Sequence, residues 1–223
     1  MRHIRFGAAI AALACACTVW LNSEPQHPYR STAPVCIELS FKDDLSGPAF
    51  TTLRTETTRI WLRQGIALRW AQPPQEPCDR VIPIIFDEAK VRTLAGKKRD
   101  ALAVTAFAGR SRTIYVSALR AFQMISQLHS QSSILETVGE RDYRHGTLMG
   151  RVVAHELGHV LLETTAHSAT GLMRAIFDAN DAMSPDERTT DLSTTESQQL
   201  AIRFSLVPLD ASPEPTVLAQ GGR

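Results

Sequence analysis

The chain is expected to fold as an α+β domain, in which a mixed, twisted β-sheet is followed by a long helix and a smaller helical part towards the C-terminal end. Three observations point there. Short β-branched or alternating stretches are interleaved with helical ones through the first half of the chain. Residues 148–162 form a proline-free run with apolar residues at Val152, Val153, Leu157, Val160 and Leu161, the spacing of a helix with one buried face. A further helical pattern with its own capping signal begins near residue 193.

The elements follow in order. The first residues are read as a targeting segment: Arg2 and Arg5 precede an apolar run from Phe6 to Val19, with Ala14-Cys15-Ala16 or Ala12-Leu13-Ala14 as the small-residue cleavage pattern. A lipid-bearing Cys15 or Cys17 is the alternative. The expected organisation is a signal peptide over residues 1–17, a linker over 18–34, one domain over 35–207 and a flexible tail over 208–223. Residues 35–41 alternate apolar and polar side chains, as a strand does. Residues 46–64 read as a helix burying Leu53, Ile60 and Trp61, ended by Gly65. Residues 67–70 and 81–86 read as strands, and Pro83 places the second at an edge or a bulge. Residues 101–107 and 113–116 flank Ala108-Gly109-Arg110-Ser111-Arg112 and are expected to pair as a hairpin. A helix follows over 117–129, then a polar stretch over 130–142 without assignment. The last helix spans 193–204, with Ser193 or Thr194 as cap and Glu196 in its first turn.

Composition narrows the partners. A net charge of +1 and interspersed charges give no field for nucleic acid or an anionic membrane. Nothing after residue 20 is apolar enough for a stable membrane span. The one basic run, Gly96-Lys97-Lys98-Arg99, reads as a solvated turn. With the targeting segment removed, Cys36 and Cys78 remain, and two cysteines in an exported domain suggest one disulfide. It would close a loop of about forty residues, which is worth roughly 3 to 4 kcal/mol by loop-closure entropy. The expected location is secreted or periplasmic.

One stretch carries chemistry: His155-Glu156-Leu157-Gly158-His159, followed by His167. Positions i and i+4 share a helix face, so His155 and His159 can offer two imidazole nitrogens to one metal. Glu156 sits about 100° further round, where a general base acting on a water belongs. Catalytic zinc takes three protein ligands and keeps one position open. The i, i+4, i+8 series ending at Glu163 spreads over about 12 Å, too far for one ion. The helix must therefore end before the third ligand arrives. Thr164-Thr165-Ala166 can make that turn, and His167 then returns to the metal. Glu163 reads as a solvated helix end, with a bond to a ligand histidine as the alternative. Gly158, inside the helix, costs about 1 kcal/mol against alanine, which implies a packing or access reason. His129 and His145 read as solvated or internally satisfied residues. No Gly-x-Ser-x-Gly elbow or phosphate-cradling glycine loop is present.

The segment HELGHVLLETTAHSATGLM resembles the active-site segment of the metzincin clan of zincin metallopeptidases, particularly the matrixin pattern HExxHxxGxxHS followed by Leu-Met. The resemblance implies Zn2+ held by His155, His159 and His167, Glu156 as general base, and Met173 as an apolar floor under the metal. It also implies a zincin-like catalytic domain in which an edge strand, here residues 101–107, borders the cleft and binds an extended peptide. Two departures matter. His167 follows His159 by eight residues where the pattern has six, and Leu162 replaces the glycine. The chain also resembles secreted bacterial proteins with an HELGHxLLxxxxHSxxGxM signature. The expected partner is a peptide or protein substrate, and the chain is expected to act as a monomer. Two other readings use the same residues: a cell-envelope amidohydrolase, and a zinc-binding protein without turnover.

Overall fold

The computed structural model describes residues 29–30, 33–71, 78, 80–96, 98, 100–130, 136–175 and 183–208. The expected targeting segment, most of the linker and most of the tail lie outside them. A five-stranded mixed sheet and five helices make up the described residues, in agreement with the expected α+β class. The strands are β2 (Val35–Phe41), β3 (Leu68–Ala71), β4 (Val81–Phe86), β5 (Ala103–Ala108) and β6 (Ser111–Val116). Their spatial order is β3-β2-β4-β6-β5, parallel throughout except for the antiparallel β5–β6 hairpin. The hairpin turn is tighter than expected, just Gly109 and Arg110, and Gly109 has φ +58°. A separate ribbon joins β1 (Tyr29–Arg30), within the expected linker, to β7 (Val207–Pro208).

Pro83 is a correction. Its strand β4 lies in the middle of the sheet, between β2 and β6. Cys36 N donates to Arg80 O and Lys42 N to Phe86 O, so the even-numbered residues of this strand face β2. The Pro83 nitrogen points to the β6 side, where pairing begins one residue later, at Ile84. A proline is tolerated centrally here because its missing donor falls at the end of the β4–β6 pairing, while the ladder to β2 keeps its bonds.

The helices are α1 (Gly47–Arg63), α2 (Glu88–Ala95), α3 (Ala118–Ser130), α4 (Val138–Leu162) and α5 (Thr194–Phe204). Each of α1, α2, α4 and α5 starts on a side-chain cap: Ser46, Asp87, Thr137 and Ser193. Thr137 with Glu140, and Ser193 with Glu196, form reciprocal capping boxes. The Thr137 cap lets α4 begin within the unassigned polar stretch, so the helix is longer than its apolar run. His145 accordingly sits inside α4, buried, with Nε2 bonded to Ala118 O at 3.0 Å.

Close contact with α1 fixes α4. A Cβ on Gly146 would stand 2.4 Å from Ala49 O, and one on Gly150 would stand 2.8 Å from Glu56 Cβ. Across this seam Thr57 Oγ1 lies 3.0 Å from Gly150 O, and Trp61 Nε1 donates to Ala154 O at 3.2 Å. Buried Leu53, Ile60 and Trp61 of α1 meet Leu148, Val153 and Leu157 of α4 in one core with Ile37, Ile84 and Ile114 of the sheet. Cys36 and Cys78 are paired, with Cα atoms 6.3 Å apart, which ties β2 to the chain just before β4.

Candidate metal centre

The histidines of the motif converge. His155, His159 and His167 each offer a ligand atom, and these atoms lie within 4.8 Å of one another. No other group of three or more potential ligands meets that description among the described residues. The rings of His155 and His159 are 4.7 Å apart and nearly perpendicular, while His167 stacks on His155 at 5.4 Å. His155 and His159 are buried and His167 is exposed, so the cluster opens on its third member.

The turn that returns the chain is built from the residues expected to make it. Glu163 takes the left-handed conformation (φ 51°, ψ 47°) and ends α4. Such a conformation is uncommon without glycine and costs roughly 1 kcal/mol. Thr164 N then donates to His159 O at 3.1 Å, and Ala166 N donates to Thr164 Oγ1 at 3.0 Å. The side chain of Glu163 reaches no histidine; it pairs with Arg203 at 2.6 Å. The segment after His167 is held by Ser168 N donating to Met173 O at 2.8 Å and by the Ser168 hydroxyl bonding Glu196. The capping residue of α5 therefore also anchors the third histidine's loop.

Two backbone carbonyls orient the buried rings. His155 Nδ1 is 2.7 Å from Leu172 O, and His159 Nδ1 is 2.8 Å from Thr164 O. A carbonyl only accepts, so each Nδ1 carries its ring's hydrogen and each Nε2 presents a lone pair. Those two Nε2 atoms are 3.1 Å apart. Burial, with a smaller push from neighbouring His159 and His167, brings the His155 imidazole down to about 4, against the bond it donates to Leu172 O. Burial lowers His159 and His167 as well. Neutral rings with converging lone pairs and committed Nδ1 hydrogens form a donor set that suits a cation.

Glu156 faces the neighbouring strand. The Thr105 hydroxyl of β5 lies 2.6 Å from Glu156 Oε2 and 3.2 Å from the Glu156 backbone oxygen. Burial raises this carboxyl to about 7, partly offset by the Thr105 bonds. Thr105 is a site residue that sequence reasoning missed, and its one signal is a hydroxyl in an otherwise apolar strand.

Comparison with protein-family models, with curated proteins and with solved structures yields no match. The site is thus described by its own geometry. A cleft of about 900 Å³ runs past His155, Glu156, His159 and His167, along Ala101, Leu102 and the β5 residues as far as Phe107, and against Leu94, Met124 and Val152. The strand expected to border it, β5, is the sheet's edge. Lys98 of the basic run, read from sequence as a solvated turn, lines this cleft. Met173 is fully buried below Gly158, the packing reason that the sequence implied for that glycine.

Proposed function

We propose that the chain is a secreted zinc-dependent metallopeptidase with a zincin-like, metzincin-like catalytic domain. The observation that carries this reading is the pair of buried Nε2 lone pairs 3.1 Å apart with His167 beside them and Glu156 adjacent. Three neutral imidazoles and one open side match the ligand set of a catalytic zinc site. When bound, zinc supplies a Lewis acid that lowers the pKa of water towards 7 and polarises a carbonyl.

The chain's own residues do the rest. His155, His159 and His167 are the ligands. Glu156 takes a proton from the attacking water and returns it to the leaving amine. Thr105 holds one oxygen of that carboxylate in place and leaves the other to act. The backbone of β5, unpaired on its outer side among the described residues, binds an extended peptide by adding hydrogen bonds. The paired cysteines agree with an oxidising, extracellular setting, and no helix among the described residues is long and apolar enough to cross a membrane.

The experiment is cleavage of a diverse peptide library by the zinc-loaded chain beside Glu156→Gln. Cuts that vanish with chelator and in the variant support the peptidase. Stoichiometric zinc with no cuts moves the reading to a cell-envelope amidohydrolase or a protein without turnover.

A further inference from the structure

A second cavity, of about 320 Å³, opens beyond the hairpin, between the first residues of β4, the first of β6 and the last turn of α4. Arg80, Arg110, Arg112, Ser111, Val160 and Glu163 line it. Its charge is lopsided. Among the described residues its lining carries three arginines and one carboxylate, and that carboxylate, Glu163, already binds Arg203. Arg203 also donates to Leu161 O at 2.9 Å, so the carbonyl end of α4 has its cation without the other three.

Among the described residues the three arginines are held without an ion pair of their own, and Arg80 and Arg112 share the field of Glu163 with Arg203. Arg80 lies over the Phe204 ring at 4.5 Å, a contact that leaves its N–H groups to spare. Arg112 Nη1 donates to Gly109 O at 2.7 Å and to Ser111 O at 3.0 Å, and its Cζ sits 4.9 Å over the Phe107 ring. These contacts fix the group, yet its Nε is buried and has no acceptor among the described residues. Arg110 stands at the rim on the two-residue turn, exposed.

We infer that this cavity is a second ligand site, for an oxyanion group. A fixed guanidinium with a buried free N–H, flanked by two more, offers the forked donors that carboxylates and phosphates accept. Phe107 connects the site to the first cavity, because its ring lines the histidine cleft while carrying Arg112. A chain lying along β5 and passing the hairpin tip therefore brings an acidic group onto these arginines. Carboxylate and phosphate or sulfate share the chemistry, and the position favours a carboxylate of a bound peptide. The oxyanion site itself does not depend on hydrolysis, and neither does its test.

The test follows the arginine Nε–H signals of the full chain by NMR at constant ionic strength. The additions are sodium sulfate, an acidic peptide, and the same peptide with glutamines for glutamates, with chloride as control. The expected result is a saturable shift of the Arg112 Nε–H signal by the acidic peptide, absent with its glutamine counterpart. In Arg110→Gln, which changes an exposed turn residue, binding weakens at least tenfold; in Arg112→Gln, followed at the Arg80 and Arg110 Nε–H signals, it is lost. Saturation by sulfate as well assigns the site to free oxyanions and supports it equally. No saturable shift with either anion, or equal binding in Arg110→Gln and Arg112→Gln, overturns it.

Discussion

Gly158 and Met173 are in contact through the space a side chain would fill: a Cβ on Gly158 would stand 2.2 Å from Met173 Sδ. Met173 is fully buried, and its neighbour Leu172 gives the carbonyl that orients His155. Packing under the helix and orientation of a candidate ligand are therefore one device. Gly158→Ala gains about 1 kcal/mol of helix propensity but overpacks Met173 at a cost of roughly 1–3 kcal/mol. The expected net effect is a loss of about 1 kcal/mol by chemical denaturation, with weaker metal binding. In a Met173→Ala background the same change should cost nothing. An equal cost in both backgrounds would show that the sulfur contact is irrelevant.

Thr105 should matter to turnover and not to metal. Thr105→Val keeps the β-branched shape in β5 and removes the hydroxyl that lies 2.6 Å from Glu156. Losses of roughly 10–100-fold are typical when such a supporting hydrogen bond is removed. Peptide cleavage should fall by that factor with zinc affinity unchanged. Wild-type turnover in the variant would remove Thr105 from the machinery.

Much of the fold could be read in the residues, because local physics decides it. The alternation in Val35–Phe41, the capping box at Ser193 and Glu196, and the hairpin around Gly109 are each specified within a few positions. What escaped depends on neighbours distant in sequence. Pro83 is tolerated centrally because its missing N–H falls on the β6 side, at the end of that pairing, and costs the β2 ladder nothing, which no local rule reveals. The start of α4 was hidden because its first turns hold few apolar residues, although the Thr137 and Glu140 spacing was visible. At the site, the side chains of the motif were legible, while their partners Leu172 O, Thr164 O and Thr105 come from elsewhere in the fold or from the turn itself.

Acid should loosen the seam between α1 and α4. Burial tends to raise the Glu56 carboxyl, but bonds from Arg59 and Arg151 outweigh it and hold the group below its usual value. A depressed carboxylate stabilises the fold above its unfolded value. That contribution is lost as pH falls from the ordinary glutamate range, about 4.3, through the folded value. Glu56→Gln should flatten the fall in stability over that window. At neutral pH it should cost about 2–3 kcal/mol. Arg151, nearly buried and bonded to Glu56 at 2.9 Å, would lose its counter-charge, though partial exposure keeps the effect below that of a fully buried pair. Denaturation of both proteins across pH tests this; identical pH profiles would contradict it.

The cysteine pair should be a stability element only. Its loop spans a sequence separation of 42, and removing such a link costs about 4 kcal/mol by loop-closure entropy. Cys36→Ala with Cys78→Ala should lower the denaturation midpoint while leaving zinc affinity within about twofold. A large loss of metal binding in the folded variant would mean that β2 helps to shape the site.

Whether the three histidines hold a metal is decided by the zinc bound to the purified full chain, measured as stoichiometry and affinity beside His155→Ala, His159→Ala, His167→Ala and Glu156→Gln. One zinc per wild-type chain is expected, retained in Glu156→Gln and weakened at least tenfold in each histidine variant. A wild-type chain that binds no zinc, or a folded His167→Ala with undiminished affinity, would contradict the three-histidine site.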